Sequence, residues 1–380
     1  MKTIPYGHQW IDKNDIDKVA EVLESDWITQ GPKVEEFESA LCKYTGAKYA
    51  VVVSSGTAAL HIACLAAGIK QSDEVITSPI TFVASANCVL YCGGIPVFAD
   101  IQEDTVNIDP AGIKKKVNQN TKAVIPVHFA GHPCDLQEIK EIAEKYNLLV
   151  VEDASHALGA EYRNNKIGSC KYSNMTVFSF HPVKSITTGE GGAVLTNSED
   201  LYKKLLLFRN HGINRERSKL IKKDEGPWYY EMQELGFNYR LTDFQCALGI
   251  SQLKKLEKFL KRRREIINIY NEELSNIINI ILPVEKPYVR SSWHIYYIRL
   301  KDPDRRKNIF ERLRKFNIRV QVHYIPVHLQ PYYSNNLNYK AGDYPMAEKY
   351  YESTITLPLY PKMLDSEVRY VIDILKKELK

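Results

Sequence analysis

Between about residues 47 and 197, short apolar runs alternate with amphipathic stretches, a rhythm that few folds accept. It is the pattern of strand–helix–strand units built around a mostly parallel sheet with helices covering its faces. Seven runs read as strands: Tyr49–Val53, Glu74–Thr77, Ile95–Ala99, Ala123–Val127, Leu148–Glu152, Met175–Ser179 and Gly192–Thr196. Their Val and Ile content, without clean alternation, suits strands buried on both faces. Seven strands make one large α/β domain, placed at residues 1–250 with the amino-terminal segment included. Residues 240–276 read as a long helical passage, with Leu241, Phe244, Ala247, Leu248 and Leu253 at helical spacing. Further on, Trp293–Leu300 and Ile318–His323 read as strands, Asp302–Phe316 as a helix, and a last helix follows Asp365. These elements predict a smaller α+β domain at residues 251–380.

A chain of 380 residues suits one large domain plus a smaller one, and two lobes leave room for a cleft. Hydrophobic content of 44% and charged content of 26% are those of an ordinary packed, soluble protein. The net charge of +5 is modest, and the run Lys261-Arg262-Arg263-Arg264 reads as the solvated face of a helix, so no nucleic-acid partner is expected. The seven cysteines show no CxxC pair and no regular framework, which points to reduced thiols in the cytoplasm. The amino terminus lacks the apolar stretch of a secretory signal. No segment approaches the roughly 20 apolar residues of a spanning helix, so no membrane association is expected.

Three stretches carry chemistry. The first runs from Tyr49 to Leu60 through Ser54-Ser55-Gly56-Thr57, a strand passing through small polar residues into an apolar helix. Gly56 lets the backbone approach an anion, and the N–H groups and hydroxyls at the helix start can donate to phosphate oxygens. An ordinary helix N-cap has the same composition, and both readings stay open at this point. The second, Leu148-Leu149-Val150-Val151-Glu152-Asp153, ends a buried strand in a carboxylate, where α/β sheets bind ligands. Such a carboxylate either caps the next segment or holds a pyridinium nitrogen protonated, which makes pyridoxal phosphate (PLP) an electron sink.

The third stretch is more selective. Met175 to Phe180 leads into His181-Pro182-Val183-Lys184-Ser185-Ile186-Thr187-Thr188-Gly189-Glu190-Gly191-Gly192, a polar loop with one lysine that returns to a strand. An amine held between two apolar strands is desolvated, its pKa falls, and it becomes a nucleophile toward an aldehyde. Ser179 can add a phosphate contact. The three stretches follow one another in the order a PLP site requires.

Together, Ser55-Gly56-Thr57, Glu152-Asp153, Ser179-Phe180-His181 and Lys184 through Gly192 resemble the DegT-type nucleotide-sugar aminotransferases, a family of the fold-type I PLP-dependent transferases. The likeness runs from Asp26-Trp27-Ile28-Thr29-Gln30-Gly31-Pro32 through Gly236-Phe237-Asn238-Tyr239-Arg240 to His323-Tyr324-Ile325-Pro326-Val327-His328. It implies PLP bound as a Schiff base to Lys184, with Asp153 on the pyridine nitrogen. Gly56, Thr57 and Ser179, with Ser55 beside them, would hold the phosphate, Phe82 would stack on the ring, and His156 would lie against its other face or near its phenolic oxygen. Asn238 would complete the phosphate site of a neighbouring subunit, which implies a homodimer with shared active sites. Glu190, Tyr324 and His328 are candidates for sugar contacts by motif position alone. Within the family the chain looks similar to the enzymes of pseudaminic acid biosynthesis. That implies L-glutamate as donor and C4 of a UDP-4-keto-6-deoxy-N-acetylhexosamine, UDP-4-keto-6-deoxy-L-AltNAc, as acceptor. Some relatives carry His in place of the lysine and dehydrate sugars; the presence of Lys184 favours transamination.

Three rivals remain. One is an aminotransferase for another UDP- or dTDP-4-keto-6-deoxy sugar, which the catalytic set does not separate. Another is a non-catalytic PLP-binding regulator, for whose usual DNA-binding module the chain leaves no room. The last is a metal hydrolase using His128, His132, His323 and His328, which lack an HExxH pattern and lie in proline-containing segments. No metal site is therefore expected. The aromatics of Gly226-Pro227-Trp228-Tyr229-Tyr230 suit either stacking on a nucleotide base or packing against a partner subunit.

Overall fold

The computed structural model describes residues 3–379, so residues 1, 2 and 380 of the two expected domains lie outside it. Seven strands form the central sheet: β1 (Tyr49–Val53), β2 (Glu74–Thr77), β3 (Ile95–Phe98), β4 (Thr121–Ile125), β5 (Leu149–Asp153), β6 (Met175–Ser179) and β7 (Gly192–Thr196). Their order is β1-β7-β6-β5-β4-β2-β3. Pairs from β6 through β5, β4 and β2 to β3 are parallel. Only β7 runs the other way, antiparallel to both β1 and β6. The expected α/β architecture is thus present. Two strands are displaced from their expected positions: β4 lies two residues earlier, and β5 one residue later, so that Asp153 is its last residue.

The unbroken apolar runs follow from a sheet with a core on each side. Val52, Ile76, Val124, Val150 and Phe178 face one cluster, which includes Phe37, Leu41, Ile139 and Ile250 from flanking helices. Val51, Val53, Val75, Ala123, Ile125, Val151 and Val177 face the opposite cluster, with Ala59, Ile62, Val89 and Leu205. Successive strand residues point to opposite faces, so neither face leaves room for polar alternation.

The second core surrounds a smaller antiparallel sheet of β8 (Ile280–Ile281), β9 (Tyr296–Leu300) and β10 (Thr354–Leu357). Helices Leu256–Leu274, Arg306–Lys315 and Asp365–Leu379 pack against it. Ile4, from the amino-terminal end, is buried in the same core. The expected strand at Ile318–His323 does not form. Ile318 bridges Ile4 while Gln321 bridges Thr356, and this change of partner leaves no continuous ladder. The helical passage is two helices, Asp243–Leu253 and Leu256–Leu274. At the break between them Lys255 turns onto the buried Asp15 (2.5 Å) and onto Asp12 (2.9 Å).

Candidate active site

Because six strands run in one direction, the carboxyl ends of β1, β2, β5 and β6 open onto one edge of the sheet. The antiparallel β7 begins at that edge, where Gly192 pairs with both Val53 and Ser179. That edge is where α/β sheets take ligands, and most of the residues singled out in the sequence meet there.

At the end of β1, Ser55 caps the helix Gly56–Ala66, its hydroxyl accepting from Ala58 N at 3.0 Å. The cap reading therefore holds for the Ser55 side chain, and Gly56 and Thr57 form the first turn. Gly56 lies against Ser179 at the end of β6: a Cβ there would sit 2.8 Å from Ser179 Cβ and 3.0 Å from Ser179 Oγ. A side chain at Gly56 would fill the space between the two turns.

Asp153 is buried, and both its oxygens are held. Ser85 Oγ donates to Oδ2 at 2.6 Å and Ser155 N to Oδ1 at 3.1 Å. Ser85 in turn meets Thr81 Oγ1 at 2.6 Å. Beyond Asp153, His156 Nε2 meets the hydroxyl of Tyr324 at 3.1 Å, while its Nδ1, also buried, has no partner. Burial holds the imidazolium form of His156 well below its usual range, and the charges of Lys184 and His323 act in the same direction. Phe82 stands at the mouth, 59% exposed, its ring 6.3 Å from that of Tyr324.

Lys184 sits in a loop stitched across its base by Phe180 N to Gly191 O (2.8 Å) and Thr188 N to Phe180 O (3.0 Å). Burial lowers its amine from the usual lysine value to about 8, while the Asp153 carboxylate acts in the raising direction. At neutral pH roughly a tenth of an amine near 8 is unprotonated, on the order of a hundredfold more than of an ordinary lysine, and the unprotonated form is the nucleophile. Burial of His323 brings its pKa to about 4, with the Lys184 charge as a second cause.

The remaining candidates lie further out. Asn238 is exposed, on a segment that runs beside β1 through the Val53–Arg240 bridge. Glu190 is exposed, and its carbonyl accepts from Thr188 Oγ1 and Gln245 Nε2. His328 is fully buried, with Nε2 on Glu348 at 2.9 Å. Trp228 is 77% exposed, and Tyr229 donates to Glu231. The four histidines of the metal reading are separately engaged: His128 with Glu152, His132 with Pro133 O and Lys286 N, His323 with Thr356, His328 with Glu348. Among the described residues no group of three or more His, Cys, Asp or Glu is placed to hold a metal ion. Sequence reasoning missed Ser85 and His294; the ring of His294 lies 4.2 Å from that of His156.

The model of the DegT/DnrJ/EryC1/StrS aminotransferase family matches residues 9–376. The chain is 40% identical to a UDP-4-amino-4,6-dideoxy-N-acetyl-beta-L-altrosamine transaminase of Campylobacter jejuni over 98% of this chain and 96% of that protein. Among solved structures, Helicobacter pylori PseC, an aminotransferase involved in the biosynthesis of pseudaminic acid, superposes with a TM-score of 0.92. It is 35% identical, covering 100% of this chain and 99% of PseC. The PLP-form of Spr1654, a sugar aminotransferase by its description, from Streptococcus pneumoniae, also superposes with a TM-score of 0.92, at 31% identity over 99% of this chain and 98% of its own. With the family pattern matched over nearly its whole length, the chain belongs to the DegT/DnrJ/EryC1/StrS aminotransferases.

Proposed function

We propose that this protein is a PLP-dependent nucleotide-sugar aminotransferase. In our reading it carries an amino group from L-glutamate to C4 of UDP-4-keto-6-deoxy-L-AltNAc, in the pathway to pseudaminic acid. The observation that carries the chemistry is the placement of a half-buried lysine, on the loop between β6 and β7, at the same carboxyl edge of the sheet as the buried Asp153, and burial lowers its amine to about 8. The likeness to the Campylobacter transaminase and to PseC supports the acceptor.

The residues present fit PLP. A nucleophilic amine, the side-chain-free approach of Gly56 to Ser179, and an unpartnered buried nitrogen on His156 lie along one edge. When bound, the cofactor supplies a carbonyl that takes the amino group and a ring that accepts the electrons released when the donor loses its α-proton. Lys184 would hold the cofactor's carbonyl carbon and then, in each half-reaction, move the proton between that carbon and the substrate carbon bearing the nitrogen. Asp153, oriented by Ser85 and Ser155, would keep a proton on the pyridine nitrogen. The N–H groups of Gly56 and Thr57, with Ser179, would hold the phosphate at the start of the helix. Phe82 and His156 would flank the ring.

We read the chain as two domains meeting near residue 250, with Ile4 tying the amino-terminal end to the smaller one. The exposed Asn238 suits a contact to the phosphate of a second subunit, and hence a homodimer with shared sites. The exposed Glu190 and the half-buried Tyr324 suit sugar contacts better than His328, which is fully buried on Glu348. No helix among the described residues is long and apolar enough to cross a membrane. All seven cysteines are free, which supports a reducing, cytoplasmic setting.

The test is the visible spectrum of purified protein. A cofactor band that disappears with L-glutamate and returns with UDP-4-keto-6-deoxy-L-AltNAc, and not with dTDP-linked keto-sugars, is the expected result. Recovery with another sugar alone would replace the acceptor, and protein that stays colourless with added PLP would overturn the cofactor and the reaction.

A further inference from the structure

Of the four histidines weighed as metal ligands, His128 is fully buried beside Asp153, and neither it nor its partner Glu152 has a part in the proposed chemistry. His128 belongs to the segment that leaves β4. The β4–β5 ladder stops at the pair Val124–Val150, short of Asp153. Beyond it the bridge between Val127 and Asp153 carries the pairing on. There Asp153 N donates to Pro126 O at 2.9 Å, and His128 N donates to Asp153 O at 3.1 Å. The end of β5 is held on this side by a turn rather than by a strand.

The His128 side chain reaches back to the same strand. Cys134 N donates to its Nδ1 at 3.1 Å, so the ring is neutral and its proton lies on Nε2, which donates to Glu152 Oε2 at 2.7 Å. Glu152 Oε1 accepts from Ser173 Oγ and, at 3.1 Å, from Thr176 Oγ1. Thr176 is the β6 residue paired with Glu152. The Glu152 carboxylate is therefore a crosspiece over β5, tied to β6 on one side and to the segment after β4 on the other. His128 grips two successive residues, Asp153 through its main chain and Glu152 through its ring.

Successive strand residues face opposite sides of a sheet. On one side Ser85 holds the Asp153 carboxylate; on the other, the crosspiece fixes the backbone from which that carboxylate projects. Stability alone does not call for such a pair. Glu152 is 2% exposed, and a carboxylate buried among neutral donors costs more than apolar residues filling the same space. Hydrogen bonds are directional and apolar contacts are not, so what the polar pair adds is a fixed direction.

We propose that His128 is a positioning residue for Asp153: through its own main chain and through Glu152 it sets where the last residue of β5 points its carboxylate. This rests on the reading above, in which Asp153 serves the pyridine nitrogen.

The experiment measures, in single turnover, the rate at which L-glutamate removes the visible band of the PLP-loaded full chain. His128→Ala should slow it by roughly tenfold or more, the scale of a small misplacement at a reacting centre, and leave KM for the keto-sugar little changed. His128→Phe fills the space without a donor, should act the same way, and serves if the alanine variant does not fold. Glu152→Gln keeps an acceptor for His128 and an amide for the two hydroxyls, and should stay close to the wild-type rate. In an Asp153→Ala background, the His128 substitutions should slow the reaction no further, because the group they position is gone. A role confined to stability would slow both backgrounds by the same factor, and that result would overturn the proposal. So would a folded His128 variant at the wild-type rate, or Glu152→Gln slowed as far as His128→Ala. A wild-type band that glutamate does not remove, or Asp153→Ala at the wild-type rate, would instead overturn the functional reading, and this inference with it.

Discussion

Ser85 Oγ donates to Asp153 Oδ2 at 2.6 Å, joining the helix that follows Phe82 to the end of β5 across 68 residues of chain. A hydrogen bond to a charged group is worth about 1.5–3 kcal/mol. Removing it by Ser85→Ala should therefore reduce kcat by roughly 10- to 100-fold, with KM for the keto-sugar little changed. Steady-state kinetics check this; an unaltered kcat would mean that the carboxylate needs no such guide.

Lys184→Ala should give folded protein that forms no visible band with PLP, and turnover should fall by about 10²–10⁴-fold or more, the loss typical of a missing proton carrier. The band and a coupled glutamate assay read the two effects separately. Turnover near the wild-type rate would remove Lys184 from the chemistry.

The pH dependence follows from the amine near 8. Below that pH most of the amine carries a proton and cannot attack, so PLP uptake should rise about tenfold per pH unit and level off above 8. The Asp153 charge acts to raise the lysine pKa, so Asp153→Asn should move the midpoint down. Stopped-flow uptake curves for the two proteins decide the sign.

The contact between Gly56 and Ser179 leaves no room for a methyl group. Gly56→Ala places a Cβ 2.8 Å from Ser179 Cβ, and overpacking of this kind costs about 1–3 kcal/mol. The Kd for PLP, read by fluorescence titration, should rise by roughly tenfold or more. Ser55→Ala removes the bond to Ala58 N and should cost about 1 kcal/mol of stability in urea unfolding.

If Asn238 serves the site of a partner, Asn238→Ala and Lys184→Ala, each inactive alone, should complement when mixed and reassociated. Random pairing would restore about a quarter of wild-type activity, since half the dimers hold one intact site. No recovery from exchanged subunits would confine Asn238 to its own chain.

Much of the fold was legible because the strands of a two-sided sheet carry uninterrupted apolar runs, and Val51 and Val52 are apolar for the same reason on opposite faces. Lys184 and Asp153 stood out because a charge at the end of such a run is locally odd. Ser85 gave no such signal: its partner is distant in sequence, and a serine early in a helix is commonplace. His294 stands at the head of an apolar run, and no local pattern brings its ring to that of His156, which lies far away in sequence. Ile318–His323 has strand composition, yet its pairing passes from Ile4 to Thr356, which no local pattern encodes.

Because β7 runs against its neighbours, the chain bearing Lys184 is a hairpin between adjacent strands, pinned at both ends by Gly192 pairing and by Phe180 to Gly191. The amine hangs on a short tether, and its effective concentration at a bound carbonyl is set by that length. Adding residues between Ser179 and Gly192 would dilute it. The excursion between Ile213–Asn214 and Glu231–Met232, closed by a pair of two-residue strands, can lengthen without altering the tether at all.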